Sequence, residues 1–182
     1  FMFFAISTLG ATGKEMDLSH NQSVIDFFSS FDKDSYLTIF SFLGIGTVLT
    51  FCMQSSAALM AITMVLCSSG VLPIYMGIAL VLGENIGTTI TSNIVAMGAN
   101  TQARRAALAH LSFNVFGVIW VLFIFYPFID MVCNFVGVNP HADHIDVSRL
   151  SIVLAAFHTT FNVCNTAVLI WFIPQMERLV CY

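Results

Sequence analysis

The chain has 182 residues, 58% of them hydrophobic and only 9% charged, with a formal net charge of −4 and a mean hydropathy of +0.88. Soluble domains carry about 25% charged residues, so a water-soluble core is excluded. No basic run is present that would engage nucleic acid or an anionic lipid surface, and the five cysteines lie scattered through apolar segments without a C-x-x-C pair, which fits small packing residues better than a zinc site or a disulfide framework.

The chain opens with FMFFAISTLG, apolar but too short to span and without the basic leader of a signal peptide. Residues 1–10 are therefore expected to be the end of a truncated transmembrane span, with more polypeptide before it. Residues 11–35 are polar, acidic and turn-prone and predict an external loop; its Asn21-Gln22-Ser23 triplet matches a glycosylation pattern that is common by chance.

Residues 36–98 predict the centre of the fold. No charge occurs from Tyr36 to Gly70, yet Gln54-Ser55-Ser56 interrupts the run, and a polar break at membrane depth must line a cavity or be buried in protein. The expectation is a re-entrant hairpin over 36–70, two short helices that meet at the break and return to the same side. Over 71–98 the sequence Gly83-Glu84-Asn85-Ile86-Gly87-Thr88-Thr89 lies near the middle of a second apolar run and predicts a discontinuous helix.

After a short loop over Ala99–Arg105, residues 106–182 are expected to hold two further spans, His110–Ile129 and Leu150–Ile173. Between them lies an external loop over 130–149 that carries Asp143. Arg104-Arg105 mark the cytoplasmic side by the bias of basic residues in short loops. His110-x-x-Phe113-Asn114 is echoed by His158-x-x-Phe161-Asn162, each at the opening of a predicted span, and these polar groups are expected to hydrogen-bond between helices rather than to hold a metal. The fold class that follows is all-α, a polytopic membrane protein.

The two polar breaks carry the chemistry. Hydroxyls and amide oxygens of Gln54, Ser55, Ser56, Thr88 and Thr91, with carbonyls freed where helices unwind, suit a hard cation such as sodium. No Lys or Arg lies between Lys33 and Arg104, so an anion would be held by helix N-termini after Ser56 and after Gly87. Against this stands the plain alternative that membrane Ser and Thr bond to their own backbone or pack as small residues. Glu84 is costly at such a depth; it would bind the cation, carry a proton, or keep a water-filled vestibule hydrated. A serine hydrolase with Ser55 or Ser56 and His110 as a dyad lacks a G-x-S-x-G elbow.

The stretch MQSSAALMAITMVLCSSGVLPIYMGIALVLGENIGTTITSNIVAMGA resembles the repeat unit of the type II sodium–phosphate cotransporter family, in which a Q-S-S-S hairpin precedes a G-x-N-I-G-T-T-x-T broken helix. ARRAALAHLSFNVFGV and HTTFNVCNT resemble the spans that follow the second repeat in bacterial members. The resemblance, over about Thr47 to Pro174, implies one half of an inverted-repeat transporter that carries inorganic phosphate by sodium symport in the lipid bilayer of a cell membrane, expected to be the bacterial inner membrane. It implies sodium at Gln54, Ser55, Ser56, Thr88 and Thr91, and phosphate at Ser55, Ser56, Asn85, Thr88 and Thr89; Glu84 is a candidate ion-coupling group on the ground of its intramembrane charge and not of the resemblance. The first repeat, or a second copy of the chain, is the implied partner. Ala57 stands where the family has a third serine, and Glu84 where it has a small or uncharged residue. The competing expectation is a non-transporting assembly or regulatory protein built from the same repeat.

Overall fold

The computed structural model describes residues 26, 28, 30–32, 35–141 and 146–181. The expectations for residues 1–10, for most of the 11–35 loop with its Asn21-Gln22-Ser23 triplet, and for Asp143 lie outside the described residues. Every element within them is helical: α1 (Tyr36–Met53), α2 (Ser56–Ser68), α3 (Ile74–Met97), α4 (Thr101–Phe123), α5 (Phe125–Val136), α6 (Leu150–Leu169) and α7 (Ile173–Cys181), with short 3₁₀ turns before and after α6. Four helical stretches, α1, α3, α4 and the run Val147–Cys181, are long and apolar enough to cross a membrane.

The segment 36–70 is two helices, and the reversal has a local cause. Gln54 adopts a left-handed conformation, φ 52°, and its N–H donates to the Thr50 carbonyl at 2.8 Å. Ser55 is extended, and its Oγ accepts from the Ala58 N–H at 3.3 Å, so that it N-caps α2. The rings of Tyr36 and Tyr75 both pack on Tyr126, at 5.6 and 5.2 Å, which sets the start of α1 beside the start of α3. Thr63 lies against Glu84 and Cys67 against Gly77, so α2 runs back along α3. α1 therefore leaves from one end of the bundle, the chain turns at Gln54-Ser55, and α2 returns to that end.

α3 is the central helix: 72% of its apolar window is buried, against 28% for α1 and α4, and every residue from Ile74 to Glu84 is buried. A helix apolar all round belongs inside. α3 is also continuous through residues 83–89, which corrects the expected discontinuous helix. The glycines serve packing instead. Gly83-x-x-x-Gly87 meets the parallel α1 so closely that a Cβ on Gly87 would lie 2.6 Å from the Thr47 carbonyl oxygen and 2.7 Å from Thr50 Cβ. A Cβ on Gly83 would overlap the Leu43 carbonyl, and Gly46 of α1 meets the Leu80 carbonyl in return. Such small-residue seams are how helices associate where no water drives them together. The Thr47 hydroxyl crosses the seam to the Gly83 carbonyl at 3.1 Å.

The link expected over Ala99–Arg105 is also shorter than its sequence suggests. Asn100 caps α4 by accepting from the Ala103 N–H at 2.9 Å, and Arg104, within α4, donates to the Met97 carbonyl at 2.7 Å, a cation at a helix C-terminus. The expected span His110–Ile129 is corrected to α4, which stops at Phe123, followed by a separate α5. Pro127 explains the stop, because its ring clashes with the carbonyl four residues back. α5 closes on Gly137, φ 79°, with the Val138 N–H reaching the Cys133 carbonyl at 2.9 Å. Phe125, Ile129, Leu154, Phe157 and Phe161 complete the core.

Candidate functional site

At Gln54-Ser55 the end of one helix meets the start of another. The last carbonyls of α1 carry partial negative charge and the first amides of α2 partial positive charge. Of those amides, Ala58 is satisfied by the Ser55 hydroxyl, while Ser56 and Ala57 have no intrahelical acceptor. The turn thus offers cation-binding oxygens and anion-binding N–H groups side by side, with no Lys or Arg among the described residues that line the cavity beside it.

Gln54 is exposed and, with Thr91, Ser92, Ala103, Ala107 and His110, lines a cavity of about 760 Å³. The tip therefore stands level with Thr91 and Ser92, and α3 rises about 8 Å further to Met97. The remaining expected contacts are not in this lining. Ser55 is the α2 cap and Ser56 its first residue. The Thr88 hydroxyl donates to the Glu84 carbonyl at 2.9 Å, Thr89 to Ile86 and Thr91 to Thr88, both at 2.7 Å, so these three are back-bonded to α3. Glu84 is 2% exposed and sits at the α2–α3 seam, which corrects the hydrated-vestibule reading. That burial arises within this chain alone, and any neighbour only adds to it.

Two buried polar atoms among the described residues have no hydrogen-bond partner, Thr50 Oγ1 and Asn85 Nδ2. Asn85 is an expected phosphate contact; Thr50 was missed by the sequence reading. Thr50 lies one turn before the tip, 1% exposed, and its hydroxyl does not make the back-bond that Thr47, Thr63 and Thr88 make. Its spacing of four from Gly46, on the face of α1 that meets Leu80 and Gly87 of α3, is the signal that marks it.

The His/Asn echo is also corrected: Asn114 and Asn162 donate back to His110 and His158 of their own helices, at 3.0 and 2.7 Å. The bonds between helices come from other residues. Asn165 accepts from Trp120 Nε1 at 3.1 Å and donates to the Phe113 carbonyl at 3.0 Å, and Asn93 donates to the Ala107 carbonyl at 2.9 Å. No hydrogen bond joins His110 to Ser55 or Ser56 among the described residues, so the hydrolase dyad is not assembled.

With this geometry in hand, comparison with known proteins is informative. The sequence family described as Na+/Pi-cotransporter matches residues 15–137. The uncharacterized YqeW of Bacillus subtilis is 38% identical over 96 residues, 53% of this chain and 30% of that protein. YjbB of Escherichia coli K12, named for inorganic phosphate export, is 26% identical over 134 residues, 74% of this chain and 23% of that protein. Sodium-dependent phosphate transport protein 2A of Oryctolagus cuniculus is 30% identical over 130 residues, 67% of this chain and 20% of that protein. The chain thus matches less than a third of the length of these relatives. No solved structure matches it.

Proposed function

The chain belongs to the Na+/Pi-cotransporter family, and from that membership we propose that it supplies part of the site by which inorganic phosphate crosses a membrane together with sodium. The observation that carries the reading is the Gln54-Ser55 turn, where α1 carbonyls and α2 amides come together beside Thr91 at the wall of one cavity. Sodium is held by carbonyl and hydroxyl oxygens near Gln54, Ser55, Ser56, Thr88 and Thr91, with the unpartnered Thr50 hydroxyl as a further donor. Thr88 and Thr91 turn from their backbone acceptors to reach it. Phosphate takes the free amides of Ser56 and Ala57 with the Ser55, Ser56, Asn85, Thr88 and Thr89 side chains, and the bound cation provides positive charge there.

In this reading α1 and α2 form a re-entrant hairpin. The Arg104 end of the bundle is cytoplasmic, the Tyr75 and Asp130 end external, and the membrane is a bacterial inner membrane. The exposed side of Gln54 faces a counterpart repeat, from the rest of the polypeptide or a second copy. Radiolabelled phosphate uptake by the full-length protein in proteoliposomes tests the proposal. An inward sodium gradient is expected to drive uptake well above a choline control, and equal uptake in both would refute symport.

A further inference from the structure

Glu84 lies apart from the tip. Its partner Thr63 sits about 10 Å along α2 from Ser56. Glu84 Oε1 and Thr63 Oγ1 are 3.3 Å apart, and Thr63 Oγ1 is 3.0 Å from the Leu59 carbonyl oxygen. A threonine hydroxyl has one proton. Thr88 spends its proton on the carbonyl four residues back at 2.9 Å, and the shorter contact of Thr63 is the same kind of bond. With that proton committed to Leu59, Thr63 turns lone pairs toward Glu84 and can accept a hydrogen bond from a carboxyl O–H.

The surroundings agree. Both side chains are buried, Thr63 at 0% and Glu84 at 2% exposure, and an ionised carboxylate without a cationic partner is too costly there. The titratable and charged groups on the helices around α3 are Tyr36 and Cys52 on α1, Cys67 on α2, Tyr126, Asp130 and Cys133 on α5, Arg104, Arg105 and His110 on α4, and His158 and Cys164 on α6. None of them hydrogen-bonds or ion-pairs with Glu84 among the described residues. Arg104 is engaged at the Met97 carbonyl, and Asp130 with Tyr75 and His141 at the opposite end.

We propose that Glu84 is a proton-binding site, a neutral acid whose O–H donates to Thr63 and latches the returning arm of the hairpin onto α3. On release the O–H bond breaks, the proton passes to water and the electron pair stays on the carboxylate. The dry seam cannot keep that charge, so α2 and α3 part. The latch goes beyond the phosphate and sodium contacts at the tip and does not rest on them.

Infrared spectroscopy of the purified full-length protein at neutral pH tests it without phosphate or sodium, so its outcome is independent of any transport assay. The carbonyl stretch of a protonated carboxylic acid is expected in the wild type and lost in Glu84→Gln. Thr63→Val, which keeps the shape of the side chain and removes the acceptor, is expected to move that band to the position of an acid without a hydrogen bond. The absence of a protonated-acid band, its persistence in Glu84→Gln, or an unmoved band in Thr63→Val would overturn the proposal.

Discussion

Gly83→Ala separates a helix built to pack from a helix built to break. A Cβ at Gly83 overlaps the Leu43 carbonyl and lies 2.8 Å from the Thr47 amide nitrogen. Both are backbone atoms of α1, which cannot rotate away, so restoring ordinary contact at about 3.5 Å moves α1 by about 1 Å. Overpacking of this kind costs about 1–3 kcal/mol, and alanine returns about 1 kcal/mol of helix propensity. The net of these two effects is a loss of about 0–2 kcal/mol, to which the loss of the Thr47–Gly83 hydrogen bond adds. Gly44→Ala is the control, because nothing lies within 4 Å of its Cβ position and only the propensity gain applies. Thermal unfolding of the full-length protein in detergent compares the two. Gly83→Ala as stable as Gly44→Ala would refute the close α1–α3 seam and favour a break at 83–89.

Three further outcomes are expected. Thr50→Val removes an unpartnered buried hydroxyl, so it leaves stability unchanged or raised by up to about 1 kcal/mol while raising the sodium concentration needed for half-maximal uptake; a sodium response equal to wild type would make Thr50 a packing residue only. Asn165→Ala strands the Trp120 N–H and costs about 1–3 kcal/mol in the same unfolding assay, well above Asn162→Ala, which loses only a bond to its own helix. A single cysteine at Gln102, in an otherwise cysteine-free protein, is expected to resist an impermeant thiol reagent added outside the cell; labelling from outside would reverse the orientation.

What could be read from the sequence follows a physical line. The turn at Gln54 was legible because Gln-Ser-Ser is polar where lipid tolerates no free backbone, and because a serine beside a turn is a ready helix cap. The 83–89 stretch was misread because two glycines four apart look alike whether they loosen a helix or admit a neighbour. Only the partner surface of Gly46, Thr47 and Thr50, some forty residues away, decides between them. Pro127 is a local signal for the α4–α5 break, and the continuous hydrophobicity around it masks it in a reading by apolar length. The roles of the threonines depend on distances of a few tenths of an ångström, as at Thr63 between Leu59 and Glu84, and spacing does not carry that information.

The central claim is that the hairpin tip holds the ion. Its most direct test is the sodium dependence of phosphate uptake by full-length Gln54→Ala in proteoliposomes, set beside an unfolding measurement that shows the variant folded. The tip geometry predicts a protein as stable as wild type, since Gln54 is exposed and its capping N–H belongs to the backbone, with a sodium requirement raised severalfold or uptake abolished. A folded Gln54→Ala protein with wild-type sodium dependence would contradict the claim.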